Sequence, residues 1–168
     1  PARICGIPAA RWAVLAGNFM DANTAADLGL ITHLVESGEL VSTVTSIHES
    51  GKPENKYRGS PANADSGIAQ FANSFYSDTN MNALLAGECP EGFDADDKMV
   101  SRQLKSLSRT APIALNMAND LINNAQDTTL DEGLQGELDG LVEIFSTTDS
   151  LEGLSALIEG RRATFQNQ

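Results

Sequence analysis

The chain has 168 residues, 41% of them hydrophobic and 20% charged, with 23 acidic against 11 basic side chains and a formal charge of -12. That length can bury the core of one domain, while the average field repels polyanions, excludes nonspecific nucleic-acid binding and leaves any anionic ligand to a local basic patch. No run of about 18 apolar residues is present to span a bilayer, and the N-terminal stretch PARICGIPAARWAVLAG lacks the basic start and unbroken apolar block of a secretory signal. Cys5 and Cys89 form no CxxC pair, so neither a zinc site nor a disulfide framework is expected, and both read as buried or part-buried thiols of a reducing cytoplasm. The chain opens on Pro1 and reads at once as the middle of an organised structure, which suggests a fragment or a processed product.

Pro8 suits the first turn of a helix over Ala9 to Ala16 that Gly17 stops. Asp21 can cap a short helix from Ala22 to Leu28, ended by Gly29. Leu30 to Val35 reads as one strand. From Glu36 to about Pro61 the apolar periodicity fails, and ESGKPENKYRGSPANADSG is rich in Gly, Pro, Ser and Asn, the composition of a loop or insertion. Helical spacing returns after Asp65, with Ile68, Phe71, Ala72 and Phe75, and a short helix is expected around Asn80 to Ala86. After the break GECPEGFDAD, residues 95 to 108 put Val100, Leu104 and Leu107 on one face. Residues 112 to 124 put Ile113, Met117 and Leu121 on one stripe, with Ala114, Ala118 and Ile122 beside it. Residues 130 to 146 carry Leu130, Leu134, Leu138, Leu141 and Phe145, opened by Thr129 with Glu132 in a capping box. Asp149 and Glu152 are expected to repeat that device at the last helix.

The expected fold class is therefore mainly α with about one short strand. A lone strand cannot pair its N-H and C=O groups, and apolar stripes this wide must be covered, so the sheet these helices face is expected to lie in other residues.

The segment PARICGIPAARWAVLAGNFMDANTAADLGLITHLVE, through Gly6, Gly17, Ala22, Ala26, Gly29 and Leu30, resembles the enoyl-CoA hydratase/isomerase, or crotonase, superfamily just after its active-site region. APIALNMANDLI, LDEGLQGELDGL and STTDSLEGLSALIEGRR resemble its C-terminal helices, and Asp149, Glu152, Gly153 and Arg161 form the most specific pattern. FYSDTNMNALLAGE, SRTAPIALNMANDLI and ELDGLVEIFSTTDSLEGL further resemble hydratase domains fused behind a 3-hydroxyacyl-CoA dehydrogenase in archaeal-type bifunctional proteins. The resemblance implies the C-terminal helical portion of a crotonase-like (ClpP/crotonase) α/β fold. Residues 1-36 would end the core, 37-97 form an insertion or linker with short helices, and 98-168 form a C-terminal helical region for lid and trimer contacts.

That resemblance implies alkene chemistry on a coenzyme A thioester in fatty-acid β-oxidation. In the family, backbone N-H groups stabilise the thioester enolate and two glutamates handle the adding water; these elements precede the stretch that this chain matches. No GxGxxG motif occurs, so a nicotinamide-binding domain for NAD would lie upstream. The implied partners are acyl-CoA, the N-terminal half of the same fold and further copies in a trimer or hexamer, in the cytoplasm, with no nucleic acid and no membrane. An isomerase or acyl-CoA hydrolase of the same superfamily, or a non-catalytic helical assembly module, remain open alternatives.

No catalytic residue and no metal ligand is assigned. Glu132, Glu137, Asp139 and Glu143 read as a solvated helix face, Asp21 and Asp27 as cap or surface groups, and His33 as a packed or surface residue of the strand. His48 stands at a loop start without a Cys or His at ligand spacing, and no GxSxG elbow occurs. Lys98, Arg102, Lys105 and Arg109 recur as one stripe, either a solvated face or a contact for an acidic partner or a phosphate. In the family, an aromatic residue and a lysine three positions on reach CoA from the last helix. Leu157 and Gly160 match those positions, and Arg161 and Arg162, beside the lost lysine, can supply the charge. Leu157, Arg161 and Arg162 are thus the expected CoA contacts. Equally, the two arginines complement the helix dipole for roughly 0.3 to 1 kcal/mol.

Overall fold

A computed structural model describes residues 1-51 and 58-167. Its described residues form ten α-helices and no strand: α1 Ala2–Cys5, α2 Ile7–Val14, α3 Ala22–Leu28, α4 Leu40–Ser50, α5 Gly67–Phe75, α6 Met81–Leu85, α7 Lys98–Leu107, α8 Pro112–Asn124, α9 Leu130–Phe145 and α10 Thr148–Glu159. The mainly helical expectation holds.

The first helices turn on Gly6, which caps α2 at φ 86. A Cβ there would sit 2.7 Å from the Gly59 carbonyl oxygen, and the Gly59 N-H donates to Arg3 O at 2.9 Å. Only glycine allows both the conformation and the approach. With Gly6 as cap, α2 starts two residues before the expected Ala9, still with Pro8 in its first turn.

Helix α2 is the hub. Its Ala9 and Ala10 are buried, and their small side chains let α5 and α8 pack closely beside Trp12. Helix α5 supplies Ala72 and Phe75, followed at once by Tyr76. The Phe75 ring stacks on Phe71 at 5.1 Å and meets Tyr76 and Phe93 edge-on at 5.2 and 5.0 Å, arrangements worth about 0.5–1.5 kcal/mol beyond area burial. Val100 and Leu107 of α7 and Leu115 and Ile122 of α8 complete the core.

A polar network runs through that core. The Arg11 guanidinium, 3% exposed, donates to Asn119 Oδ1 at 3.0 Å, Tyr76 O at 2.9 Å and Asn123 Oδ1 at 2.8 Å, and pairs with Asp78 at 2.7 Å. The Tyr76 hydroxyl donates to Gln103 Oε1 at 2.9 Å, and Asn18 Nδ2 donates to the same oxygen at 2.8 Å. Burial pushes the Tyr76 hydroxyl well above its ordinary pKa. These bonds tie α2, α5, α7 and α8 together and leave no buried side-chain N or O unsatisfied among the described residues.

Two local readings are corrected. Leu30 to Val35 is not a strand: the Leu30 and Ile31 N-H groups turn back to Ala25 O at 2.8 and 3.4 Å, so its start is the C-terminal cap of α3. No strand lies alongside among the described residues, and without a partner a strand has no ladder to join. The second correction is α4, Leu40–Ser50, which lies inside the stretch read as a loop; residues 52-57 of that stretch lie outside the described residues. Leu40, Val44 and Ile47 do recur at helical spacing. Between them stand Val41, Thr43 and Thr45, whose β-branched side chains weaken the helix signal. Hydroxyls of Ser42, Thr45 and Ser50 donate to carbonyls three or four residues back.

The other caps follow local rules. Asp21 accepts from Thr24 N-H at 2.7 Å and Gly29 takes the left-handed conformation at φ 75, so α3 has the expected bounds. Asp97 caps α7, three residues later than the expected start. Thr129 and Glu132 form the capping box of α9. At α10 the cap is Thr147, which accepts from Ser150 N-H; the expectation of Asp149 in that place is corrected, because Asp149 is engaged elsewhere.

Candidate functional site

Asp149, Glu152, Gly153 and Ala156 lie at i, i+3, i+4 and i+7 of α10 and therefore share one face. Helix α10 ends at Gly160, left-handed at φ 67, and the Arg161 N-H donates to Ala156 O at 3.0 Å. This sharp stop sends residues 161-167 back along that face. Glu152 there takes Arg161 Nη1 and Nη2 at 2.6 and 2.7 Å, a bidentate pair, and the Thr164 N-H at 2.8 Å. Asp149, 2% exposed, accepts the Gln166 N-H at 2.6 Å and the Asn167 N-H at 2.9 Å, one on each oxygen. Phe165 lies over Gly153, where a Cβ would sit 3.6 Å from its ring.

The electrostatics match this geometry. The Arg161 side chain, and then the Thr164 N-H, hold the Glu152 carboxyl down at about 2. Glu152 first and Glu159 second push Arg161 above its already high value. The four positions of the most specific sequence pattern thus form a clasp for the end of the chain.

The expected CoA contacts separate in this arrangement. Leu157 is 78% exposed on α10. Arg161 is committed to Glu152 and Glu159. Arg162 is exposed and its guanidinium has no ion-pair or hydrogen-bond partner among the described residues. Beside these, Leu151, Leu154 and Ile158 leave an apolar surface open on α10, and Leu134, Leu138, Leu141 and Phe145 do so on α9.

Two grooves flank α9. One, of about 730 Å³, runs between α1, α8 and α9, with Ala118, Leu121, Ile122, Leu130 and Leu134 on its walls. Arg3 stands at its edge and reaches the turn before α9, donating to Thr128 Oγ1 at 3.1 Å and Thr129 O at 2.7 Å. The other, of about 510 Å³, lies between α8 and α9 and carries Asp120, Asp139 and Glu143.

The remaining candidates fall in separate places. Glu132 is bound up in the capping box, and hydrogen bonds from Thr129 hold its carboxyl below the ordinary range. Glu137, Asp139 and Glu143 are exposed. Asp27 accepts from Asn63 Nδ2 at 2.9 Å. His33 is exposed, its Nδ1 2.9 Å from Thr32 Oγ1, and His48 is an exposed residue of α4 and not of a loop. Cys5 is buried and its thiol pushed up by burial; Cys89 is half-buried, and neither is in a disulfide. Among the described residues no group of three His, Cys, Asp or Glu can hold a metal ion.

The sequence reading missed Arg11, its partners and the tail clasp. An arginine in AARWAV, amid apolar neighbours, was the available signal for the first; nothing local marks Asp149 as a receptor for residues 17 and 18 positions away.

Compared with known proteins, the chain matches a family model described as enoyl-CoA hydratase/isomerase over residues 3–166. No solved structure matches it.

Proposed function

The chain belongs to the enoyl-CoA hydratase/isomerase family, and from that premise we propose that it is the C-terminal portion of an enoyl-CoA hydratase acting on acyl-CoA thioesters in fatty-acid β-oxidation. The match over residues 3–166 carries this reading. In it, the hydratase is fused behind a 3-hydroxyacyl-CoA dehydrogenase that uses NAD, and works in the cytoplasm as a trimer or hexamer. No helix among the described residues is long and apolar enough to cross a membrane.

Hydration of a conjugated thioester needs donors aimed at the carbonyl oxygen as the enolate forms, and carboxyl groups that deliver water and a proton. The reading places those groups in the N-terminal half of the fold. The present residues would cover that half and take the nucleotide end of CoA. Open apolar faces on α9 and α10 support the covering role, since surfaces of this kind call for a partner. Arg162, whose guanidinium fork meets no partner among the described residues, suits a CoA phosphate; Arg161 would hold the tail that presents it, and Leu157 would lie against the adenine.

The test has two arms. Crotonyl-CoA hydration by the 168-residue chain is expected at background, and measurable turnover would move the catalytic residues into it and overturn the assignment. Calorimetry with CoA compares the chain with Arg162→Ala and Arg161→Ala variants. A weaker heat for Arg162→Ala is expected; equal heats for all three would remove the phosphate role.

A further inference from the structure

Exposed positive charge is arranged differently on α7 and at the end of α10. Lys98, Arg102, Lys105 and Arg109 are spread as solvent-facing charge along α7 and the turn after it. Arg161 and Arg162 divide two tasks between them. Glu152 and Glu159 together engage Arg161, while Arg162 keeps an exposed guanidinium with no partner among the described residues.

What sets Arg162 apart is its backbone, which one carboxylate fixes from both sides. On the N-terminal side, Arg161 Nη1 and Nη2 reach the two Glu152 oxygens at 2.6 and 2.7 Å, and Nη1 also donates to the Arg162 carbonyl oxygen at 3.3 Å. On the C-terminal side, the Thr164 N-H donates to the same carboxylate at 2.8 Å. Glu152 thus closes a loop over residues 161-164, with Arg162 inside it. Left-handed Gly160 anchors the near end of that loop. At the far end Phe165 lies over Gly153, and buried Asp149 takes the Gln166 and Asn167 N-H groups.

An arginine on a loose tail gives up backbone and side-chain freedom together when it meets a ligand, whereas on a fixed backbone only the side-chain part is lost. With Glu152 and Glu159 both engaged by Arg161, neither is left to draw the Arg162 fork away from an incoming anion.

We infer that Glu152 is a positioning residue for anion binding by Arg162: acting through Arg161 and the Thr164 N-H, it holds the 161-164 loop in the form that meets the phosphate end of CoA. This role rests on the reading of Arg162 as a CoA phosphate contact, and names the group that sets the strength of that contact.

Calorimetry with CoA on the full chain tests it through a double-mutant cycle of Glu152→Gln and Arg162→Ala. Glutamine keeps the size of the side chain and an acceptor for the Thr164 N-H while removing the charge that holds Arg161. Arg162→Ala is expected to weaken CoA binding about tenfold, as the loss of a charge-assisted contact, and Glu152→Gln about threefold, as the loss of a fixed geometry. Adding Glu152→Gln to Arg162→Ala should cost nothing more, because the group it positions is gone. Arg161→Gln, which breaks the same pair from the other side, should repeat the pattern, and helical circular dichroism should be kept in each variant. A loss in Glu152→Gln that persists in the Arg162→Ala background overturns the inference, since Glu152 then acts by another route. So does unchanged affinity in Glu152→Gln while Arg162→Ala binds weakly. Both of those outcomes leave Arg162 as a CoA contact; no heat from the wild-type chain, or unchanged affinity in Arg162→Ala, removes that contact and the positioning role with it.

Discussion

Helices α2 and α9 both carry an apolar side, six apolar side chains in eight residues and seven in sixteen, and they end in opposite environments. Helix α2 buries four consecutive residues, Ala9 to Trp12, under α5 and α8. Helix α9 is twice as long and buries none to the same degree, although it packs along α8 and is opened by a complete capping box. One region is held by side chains from distant parts of the chain. The other is held by local backbone bonds, a cap, the tail clasp on α10, one side against α8 and the Arg3 bonds to the turn before α9. A helix of this kind is stable on its own terms only to a limited extent, because most helical stability in proteins comes from packing of the apolar face. The lesson is that the amphipathic pattern reports a face that is to be covered, and not what covers it.

The sharpest way to break this comparison is to remove the centre of the packed region. Phe75→Ala deletes a ring that touches three other aromatics, and urea unfolding is expected to show a loss of about 3–5 kcal/mol; a loss under about 1 kcal/mol would mean that the aromatic cluster is not the core. Next in size is Arg11→Met. It strips buried Asn119 Oδ1 and Tyr76 O of their donor, at roughly 3 kcal/mol for two bonds to a charged group, read from the same denaturation curves.

On the open side the expected effect is far smaller. Leu138→Ala removes a side chain that is 58% exposed, so the melting transition should move by the equivalent of about 0.5 kcal/mol or less. A cost like that of Phe75→Ala would place α9 in the core after all. The smallest effect is confined to the tail. Glu152 is ordinarily a 4.5 carboxyl and is held at about 2 by Arg161 and the Thr164 N-H. A depressed carboxyl contributes stability that is fully present above its unfolded value and lost as the pH falls through its folded one. The protection factor of the Thr164 amide should thus decline from pH 4.5 towards 2, with no accompanying change at Phe75; constant protection across that window would show that the clasp does not hold the tail.

Much of the helical layout was legible. Helix α8 has the expected bounds, as does α3, because Pro112, Asp21 and Gly29 act on their own turns. The one strand was misread since Leu30 to Val35 has the right composition but no neighbour to pair with, and pairing is not a local property. Helix α4 was missed for the converse reason: its serines, threonines and valines are poor helix formers, and only the folded chain shows the helix, with the Ser42 and Thr45 hydroxyls donating to carbonyls one turn back. At the candidate site, Arg161 was legible as part of a basic end to the last helix. The commitment of Arg161 to Glu152, nine residues earlier, was not.

By itself, the sequence determined where most helices start and stop, which side of each is apolar, and how the charges are spaced along them. Those properties depend on residues within about one turn of each other, and capping and periodicity act at that range. Only the tertiary structure decided that Arg11 is buried among α5 and α8 and that Asp149 receives the chain end in place of capping a helix. It also decided which apolar stripes find a partner, because each of these outcomes depends on groups brought together from far along the chain, and their free energy exists only once the helices have docked.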